Sequence, residues 1–296
     1  MNKYLSAIGF SKIKSIQQLD RLHREVMRNP DHRTVAGYSL SHTLVQLDKS
    51  FGEGIGISLV GEMDSAGSFL AEYAFPFILP GHHAFTDEVI VEEDPFQTAY
   101  AGVLDNVNLS VIFAIQNVAY VRGLIWNNKL PEILLLSLSG LSLEGVILLP
   151  MTKTPQDREY EMERMKKELA EIHNFRKGDD SVIDRLMLRD MDIKDTLEIR
   201  SRSEDILSIV DSSLIPFGTE SDIFDVIGTV VAVSETENTL TKEKVYLLDV
   251  ACLYYIIRIA INKENLQGEP VPGRRFRGIT WLQGAVLAEP LPESKG

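Results

Sequence analysis

Apolar and polar residues alternate with a period of two along much of this chain, which is the pattern of β-strands. The alternating segments are rich in β-branched and aromatic residues and are bounded by glycine, proline or polar turns. The chain shows no regular succession of strand and helix patterns, so we expect a mixed or antiparallel sheet with few helices. The predicted strands of the N-terminal half are residues 35–47, 54–62, 68–79, 89–92 and 109–118.

Two segments of the N-terminal half are typical of helices instead. Ser15 suits an N-cap, Gln18 completes a capping box and Pro30 follows, so the sequence predicts a helix over residues 15–29. A short helix is predicted over residues 118–124.

Residues 132–149 contain the most apolar part of the chain. The segment is interrupted by Glu144 and falls short of the ~20 apolar residues that cross a membrane. We interpret it as two buried strands that meet at Ser139 and Gly140.

At Thr154 the pattern changes to helical periodicity with charges of both signs. Thr154 can cap a helix that begins with Pro155, and similar signals continue to about residue 210. We interpret these charges as the solvated faces of helices that connect two β modules.

From residue 213 the strand pattern returns. Four or five strands within about eighty residues favour a small barrel, with an OB (oligonucleotide/oligosaccharide-binding) fold as one form of it. The predicted fold class is therefore α+β, with an N-terminal module (residues 1–153), a helical connector (154–212) and a barrel-like C-terminal module (213–296).

Residues 245–261 admit two interpretations. If a tight turn falls at Leu253 and Tyr254, Asp249 lies opposite Arg258 in a favourable cross-strand pair. The turn lacks Gly, Asn and Pro, so one long bent strand is the alternative.

The composition of the chain limits the classes of function that are possible. The 296 residues are 44% hydrophobic and 25% charged, as in a globular protein with a sizeable core. The net charge of −13 argues against bulk electrostatic binding to DNA or anionic membranes. Cys252 is the only cysteine, which excludes an intrachain disulfide and a cysteine-based zinc site. The first residues lack the pattern of a signal peptide, so we expect a cytoplasmic location.

We predict no cofactor. The glycines at positions 52, 54 and 56 resemble a phosphate-binding loop, but the dinucleotide spacing and the P-loop lysine are missing. We interpret them as a turn into a strand.

Residues 268–284, GEPVPGRRFRGITWLQG, combine turn formers, cations and aromatic residues more densely than any other stretch. Gly268 and Gly273, with the prolines between them, predict turns before a strand that begins near Arg274. In an unbroken strand, one face carries Phe276, Leu282 and Val286 and suits a core. The opposite face carries the candidate ligand- or partner-binding residues Arg275, Arg277, Trp281 and Gln283.

Arginine pairs with carboxylates and phosphates and stacks on aromatic rings, so this second face predicts a surface for an anionic partner. Two alternatives stay open. A bulge at Gly278 would turn Trp281 into the core, and the arginines would find local carboxylates as partners.

His82 and His83 are the candidate metal ligands, with several carboxylates after them. Neighbouring histidines diverge on a strand and the spacing matches no established motif, so a loop with an acidic shoulder is the alternative.

Two segments resemble a known family. Residues 4–15, YLSAIGFSKIKS, and the segment 268–284 are similar to uncharacterised proteins of clostridia-type bacteria that share a domain of unknown function. The resemblance extends over nearly the whole chain. It implies a bacterial cytoplasmic protein. The family has no established catalytic or ligand-binding residues to assign to this chain.

The leading functional hypothesis is a non-catalytic binding or regulatory protein that uses the Arg/Trp face. One alternative is nucleic-acid binding through the C-terminal barrel. Another is a hydrolase with its site near His82 and His83. A structural role, with the apolar N-terminal module contributing to a homo-oligomer interface, also stays open.

Overall fold

The computed structural model describes residues 3–37, 42–81, 83–94, 98–106, 109–150, 211–217 and 222–287. The connector predicted for residues 154–212 lies outside these ranges except for residues 211 and 212. The division of the chain into three modules therefore stays a prediction.

The helices of the described residues are short. Helix α1 spans Ile16–Arg28, helix α2 spans Val118–Trp126, and 3₁₀ segments span Lys3–Ile8 and Lys263–Asn265. Ser15 accepts a hydrogen bond from the backbone N–H of Gln18, and the Gln18 side chain accepts one from the backbone of Ser15. The predicted capping box and the two helices predicted for the N-terminal half are confirmed. Neither helix offers the length of apolar sequence that a membrane crossing needs.

Strands make up most of the described chain, which confirms the prediction of a β-rich protein with few helices. In chain order they are β1 (His32–Gly37), β2 (His42–Gly52), β3 (Ile55–Asp64), β4 (Phe69–Ile78), β5 (Phe85–Glu88), β6 (Ile90–Glu93), β7 (Tyr100–Asn106), β8 (Leu109–Ile115), β9 (Ile133–Leu148), β10 (Ser213–Pro216), β11 (Ile223–Glu237), β12 (Lys244–Cys252), β13 (Tyr255–Asn262), β14 (Leu266–Gln267) and β15 (Arg275–Leu287).

The first sheet is an antiparallel meander of β1, β2, β3 and β4 in chain order. Gly54 adopts a φ of +76° at the turn between β2 and β3. This conformation suits glycine because it has no Cβ. The glycine-rich segment is thus a hairpin turn, as the sequence predicted.

The second sheet has the order β10-β11-β12-β13-β9-β15-β8-β7-β6, and β5 and β14 also pair with β9. Strand β15 pairs with β11 as well as with β9. The pairings therefore join β11, β12, β13, β9 and β15 in a closed ring of hydrogen-bonded neighbours. Strand β9 enters this ring through a parallel pairing with β13.

Strand β9 is one continuous strand, so the prediction of two strands meeting at Ser139 and Gly140 was wrong. Gly140 lies opposite Leu282 in the β9–β15 pairing. A Cβ at this position would approach the Cγ2 atom of Thr280 to 2.3 Å. Gly140 is therefore required by the close packing of the two strands. From the sequence pattern alone, such a glycine cannot be distinguished from one in a turn.

Of the two interpretations of residues 245–261, the structure shows the hairpin, with its turn at residues 253 and 254. Cys252 pairs with Tyr255, Leu253 adopts a φ of +53°, and Asp249 lies opposite Arg258. The guanidinium Nε of Arg258 donates a 2.8 Å hydrogen bond to Oδ1 of Asp249.

The two sheets pack against each other through a shared apolar core. The core joins side chains of the first sheet to side chains of the second; examples are Leu44, Val60, Phe75, Phe113, Leu138 and Leu282. Residues near the N-terminus cover another part of the ring, where Nδ2 of buried Asn238 donates to the carbonyl of Ile8. This packing places β4 next to β7, β8 and β15, and the candidate site lies there.

Candidate ligand cavity

A cavity of about 260 Å³ lies between the first sheet and the second. Strand β4 forms one side, and β7, β8, β15 and the start of α2 form the other. It combines aromatic walls with two amide side chains. The lining residues are Tyr73, Ala74, Phe75, Ala99, Tyr100, Ala114, Ile115, Gln116, Val118, Trp281 and Gln283.

The two amides belong to Gln116, which follows β8, and to Gln283 of β15. Both are buried, with exposed fractions of 7% and 0%. Nε2 of Gln116 donates to Oε1 of Gln283 over 2.7 Å. Nε2 of Gln283 donates to the carbonyl of Pro76 in β4 over 2.9 Å. The pair therefore ties the second sheet to the first and satisfies polar groups that would otherwise be costly to bury.

A third glutamine extends this network from the first sheet. Gln46 of β2 donates through Nε2 to the backbone carbonyl of Gln116 over 2.9 Å. Its Oε1 accepts a hydrogen bond from the backbone N–H of Ala119 in α2. These contacts hold the segment between β8 and α2 in place, and Gln116 with it.

The aromatic walls are also anchored. The indole Nε1 of Trp281 donates a 2.7 Å hydrogen bond to Asp222, and its ring lies 5.2 Å from the Tyr4 ring centroid. The hydroxyl of Tyr73 donates to the carbonyl of Thr98 over 2.6 Å. The rings of Tyr73 and Phe75 are close to parallel, with an interplanar angle of 24°. Rings held in this way lose little freedom when a ligand packs on them.

The lining is electrically neutral near pH 7. Among the described residues that line the cavity, none is an acid or a base with an ordinary pKa near neutrality. Burial raises the pKa of Tyr73 strongly, and the nearby Asp94 carboxylate adds to this effect. Burial also raises the pKa of Tyr100, although a hydrogen bond from Arg122 opposes it. Both phenols therefore stay protonated at physiological pH.

The four residues predicted on one face of β15 do not form one surface. Trp281 and Gln283 line the cavity, whereas Arg277 lies beside a separate pocket of about 360 Å³ that includes Glu144, Asp225 and Gln267. Arg277 forms a two-point contact with Asp225, at 3.2 Å and 2.7 Å. Arg275 is buried, and its Nε donates to the carbonyl of Leu149. A binding role for the two arginines stays a prediction.

The register of β15 explains the position of Trp281. The pairing between β9 and β15 shifts between Gly278 and Thr280, and the extra residue lies on β9. The pairing between β15 and β11 is regular there. Strand β15 thus keeps its alternation past Gly278, and Trp281 is half-buried because Tyr4 covers its face.

Of the two candidate metal ligands, His82 lies outside the described residues. His83 is exposed, and its Nε2 lies 3.8 Å from Oδ2 of Asp249, the carboxylate that also pairs with Arg258. Within the part of the chain that the structure describes, no three His, Cys, Asp or Glu side chains come together as metal ligands. A metal site at His82 and His83 stays a prediction.

A larger groove of about 430 Å³ lies between α1, β2 and the loop that contains Leu240. Its charged side chains include Lys49 and Glu25, which form an ion pair at 3.6 Å. Leu240 is 61% exposed. A ligand there would lose less contact with water than one between the sheets, so we place the candidate site in the cavity.

Sequence reasoning missed Gln116, Tyr73 and Tyr100. Gln116 could have been noticed as a site residue, because it is a polar residue directly after the apolar strand Leu109–Ile115. Nothing in the sequence marks the two tyrosines as site residues, since aromatic residues in strands are most often core residues.

The comparisons with known proteins give a family and no relative of known activity. No curated protein and no solved structure matches the chain. Residues 5–284 match the family described as a domain of unknown function, E. rectale gene description (DUF3881). The match spans the segments on which the resemblance to a clostridial domain of unknown function was based, and confirms it. The chain belongs to the DUF3881 family.

Proposed function

We propose that this protein is a non-catalytic small-molecule-binding protein whose ligand occupies the cavity between the two sheets. The observation that carries this proposal is a cavity that joins anchored aromatic rings to a buried pair of glutamines. Ligand sites of proteins typically have this composition, with apolar walls and a few fixed polar groups that orient the ligand.

A binding role rather than catalysis is supported by the lining groups. General acid–base catalysis needs a side chain whose pKa lies near the working pH. The lining offers amides, apolar groups and phenols whose pKa values are raised. Such groups recognise a ligand by hydrogen bonding and packing.

The place of the cavity supports a regulatory role. A ligand there contacts β4 of the first sheet and β15 of the second at once. Ligand binding would therefore stabilise the packing of the sheets against each other, and the free energy of unfolding would rise with ligand concentration.

The closed ring of strands favours a second candidate. We propose that the ring is a small barrel of OB type within an α+β chain, as the sequence suggested, and that Arg277 contacts single-stranded nucleic acid on it. Fluorescence anisotropy with a labelled oligothymidylate tests this idea. Arg277→Ala should weaken binding and its dependence on salt, and the absence of binding by the wild-type protein at low salt would contradict it.

The leading proposal is tested by screening fragment-sized compounds with ligand-observed NMR. Ala114→Leu places a larger side chain in the cavity and should remove binding of every fragment that binds wild type. Ala99→Leu, at another point of the lining, should also remove binding, and it replaces Ala114→Leu as the test if that variant fails to fold.

The matched control is Ala232→Leu, the same change at an exposed position of β11. This variant should keep the wild-type set of fragments. If no fragment binds wild type, or if both cavity variants bind the wild-type set, the cavity is not the binding site.

A further inference from the structure

The amide orientation of Gln116 leaves one hydrogen-bonding position in the cavity open. Its Nε2 lies within hydrogen-bonding distance of three acceptors: Oε1 of Gln283, Oγ of Ser139 and the carbonyl of Ile78. The opposite orientation would place the amide oxygen against carbonyl oxygens, which repel it. The surroundings of Gln116 therefore fix nitrogen on the sheet side.

The other end of this amide is Oε1. Among the described residues, none donates a hydrogen bond to Oε1 of Gln116. This oxygen is not fully buried, so it keeps some accessible surface. Gln116 lines the cavity, so a ligand bound there lies next to the amide that carries this oxygen. A bound molecule completes the network when it donates a hydrogen bond at this point.

Charge and size restrict the molecule further. Among the described lining residues none is charged, so a carboxylate or phosphate would lose its hydration without gaining an ionic partner. The volume of about 260 Å³ lies below the range of roughly 300–1,000 Å³ that drug-sized ligands occupy. The cavity thus suits a neutral compound of one or two rings.

The shape of the walls favours a planar ligand. Trp281, Tyr73, Phe75 and Tyr100 all contribute rings to the lining. Aromatic ligands gain offset-stacked and edge-to-face contacts with such rings beyond the burial of their surface.

On the basis of the proposed function, we infer that the ligand is an uncharged planar heteroaromatic compound that donates a ring N–H to Oε1 of Gln116. The N–H edge faces the glutamine pair and the ring faces pack on the aromatic walls. The site distinguishes its ligand from isosteric compounds without the N–H, because those leave the amide oxygen unpaired.

Isothermal titration calorimetry with three probes tests this inference. Indole carries the ring N–H, benzofuran has the same shape with an ether oxygen in its place, and indole-2-carboxylate adds a negative charge. Wild type should bind indole at least about ten times more tightly than benzofuran, as expected when a buried acceptor is left without its donor. Indole-2-carboxylate should bind more weakly than indole.

The Gln116→Met variant links the preference to this residue. The ratio of the indole and benzofuran affinities should fall close to one, while benzofuran still binds. If this variant does not fold, the comparison of probes on wild type decides alone.

Equal affinities of wild type for indole and benzofuran, or tighter binding of the carboxylate, would overturn the inference and leave the cavity as a binding site. If none of the three probes binds wild type, the inference fails. If the fragment screen also finds no ligand, the proposed function fails with it.

Discussion

Gln116 and Gln283 face each other across a 2.7 Å hydrogen bond between two amides that are 167 positions apart in the chain. Gln283 also donates to Pro76 of the first sheet, so this contact lies where the two sheets and the cavity meet. Both side chains are buried, so water has little access to replace the hydrogen bonds that they form.

Gln283→Met should therefore destabilise the protein. The change removes the side-chain donor to the carbonyl of Pro76, and a buried polar group that loses its partner costs about 1–3 kcal/mol. It also removes one of the three acceptors of Gln116 Nε2, which keeps Ser139 and Ile78. We expect the free energy of unfolding to fall by about 1–3 kcal/mol in urea titrations. Gln267→Met, at an exposed position of β14, is the matched control. It should change stability by less than about 0.5 kcal/mol, and an equal loss for both variants would contradict this account.

The Asp249–Arg258 pair should show strong coupling. Asp249 is 5% exposed, and Arg258→Met would leave its carboxylate buried without its guanidinium partner. We expect a loss of about 3 kcal/mol in the free energy of unfolding. The double variant Asp249→Leu/Arg258→Met should recover much of this loss, since an apolar pair leaves no buried charge. Strictly additive effects in the double-mutant cycle would show that the two residues do not depend on each other.

Cys252 should be inert in the folded protein. Its side chain is buried in β12, and burial raises the pKa of the thiol to about 12. Because the thiolate is the reactive form, Ellman's reagent should not react with the native protein at pH 8. One equivalent should react in guanidinium chloride, since the chain has one cysteine. Rapid reaction of the native protein would mean that β12 opens readily.

Asp48 should make stability depend on pH. Burial raises the pKa of its carboxyl group, although hydrogen bonds from Ser58 and Gln46 oppose the effect. The folded protein therefore binds this proton more tightly than the unfolded chain does. The contribution of Asp48 to the free energy of unfolding is largest when the carboxyl is protonated. It falls as the pH rises from about 4, the ordinary value, through the raised value of the folded protein.

Asp48→Asn removes this titration and keeps an oxygen that accepts the hydrogen bond from Ser58. Urea unfolding between pH 4 and pH 8 should show the variant gaining stability relative to wild type as the pH rises. A constant difference between Asp48→Asn and wild type would refute the assignment.

The features that the sequence determined are local. The capping box of α1 depends on residues three positions apart. Alternation along residues 275–287 placed Phe276, Leu282 and Val286 in the core, as the structure shows. Such features can be predicted from the sequence because the residues that determine them are close together in the chain.

The candidate site could be predicted from the sequence only in part, because most of its residues are distant from one another in the chain. Trp281 and Gln283 stood out on the alternating strand, but the sequence joined them to Arg275 and Arg277, which the structure directs to other partners. The other aromatic residues of the lining come from β4 and β7, and their approach to Trp281 of β15 depends on how the two sheets pack.

The sequence by itself determined a β-rich chain, the capping box of α1 and the apolar face of its last strand. The tertiary structure decided that β9 runs unbroken through the ring, that Gly140 serves packing, and that Gln116 meets Gln283. The physical reason is that an alternating strand fits many partners and registers equally well. Only the packing of all strands together selects one arrangement, and with it the cavity between the sheets.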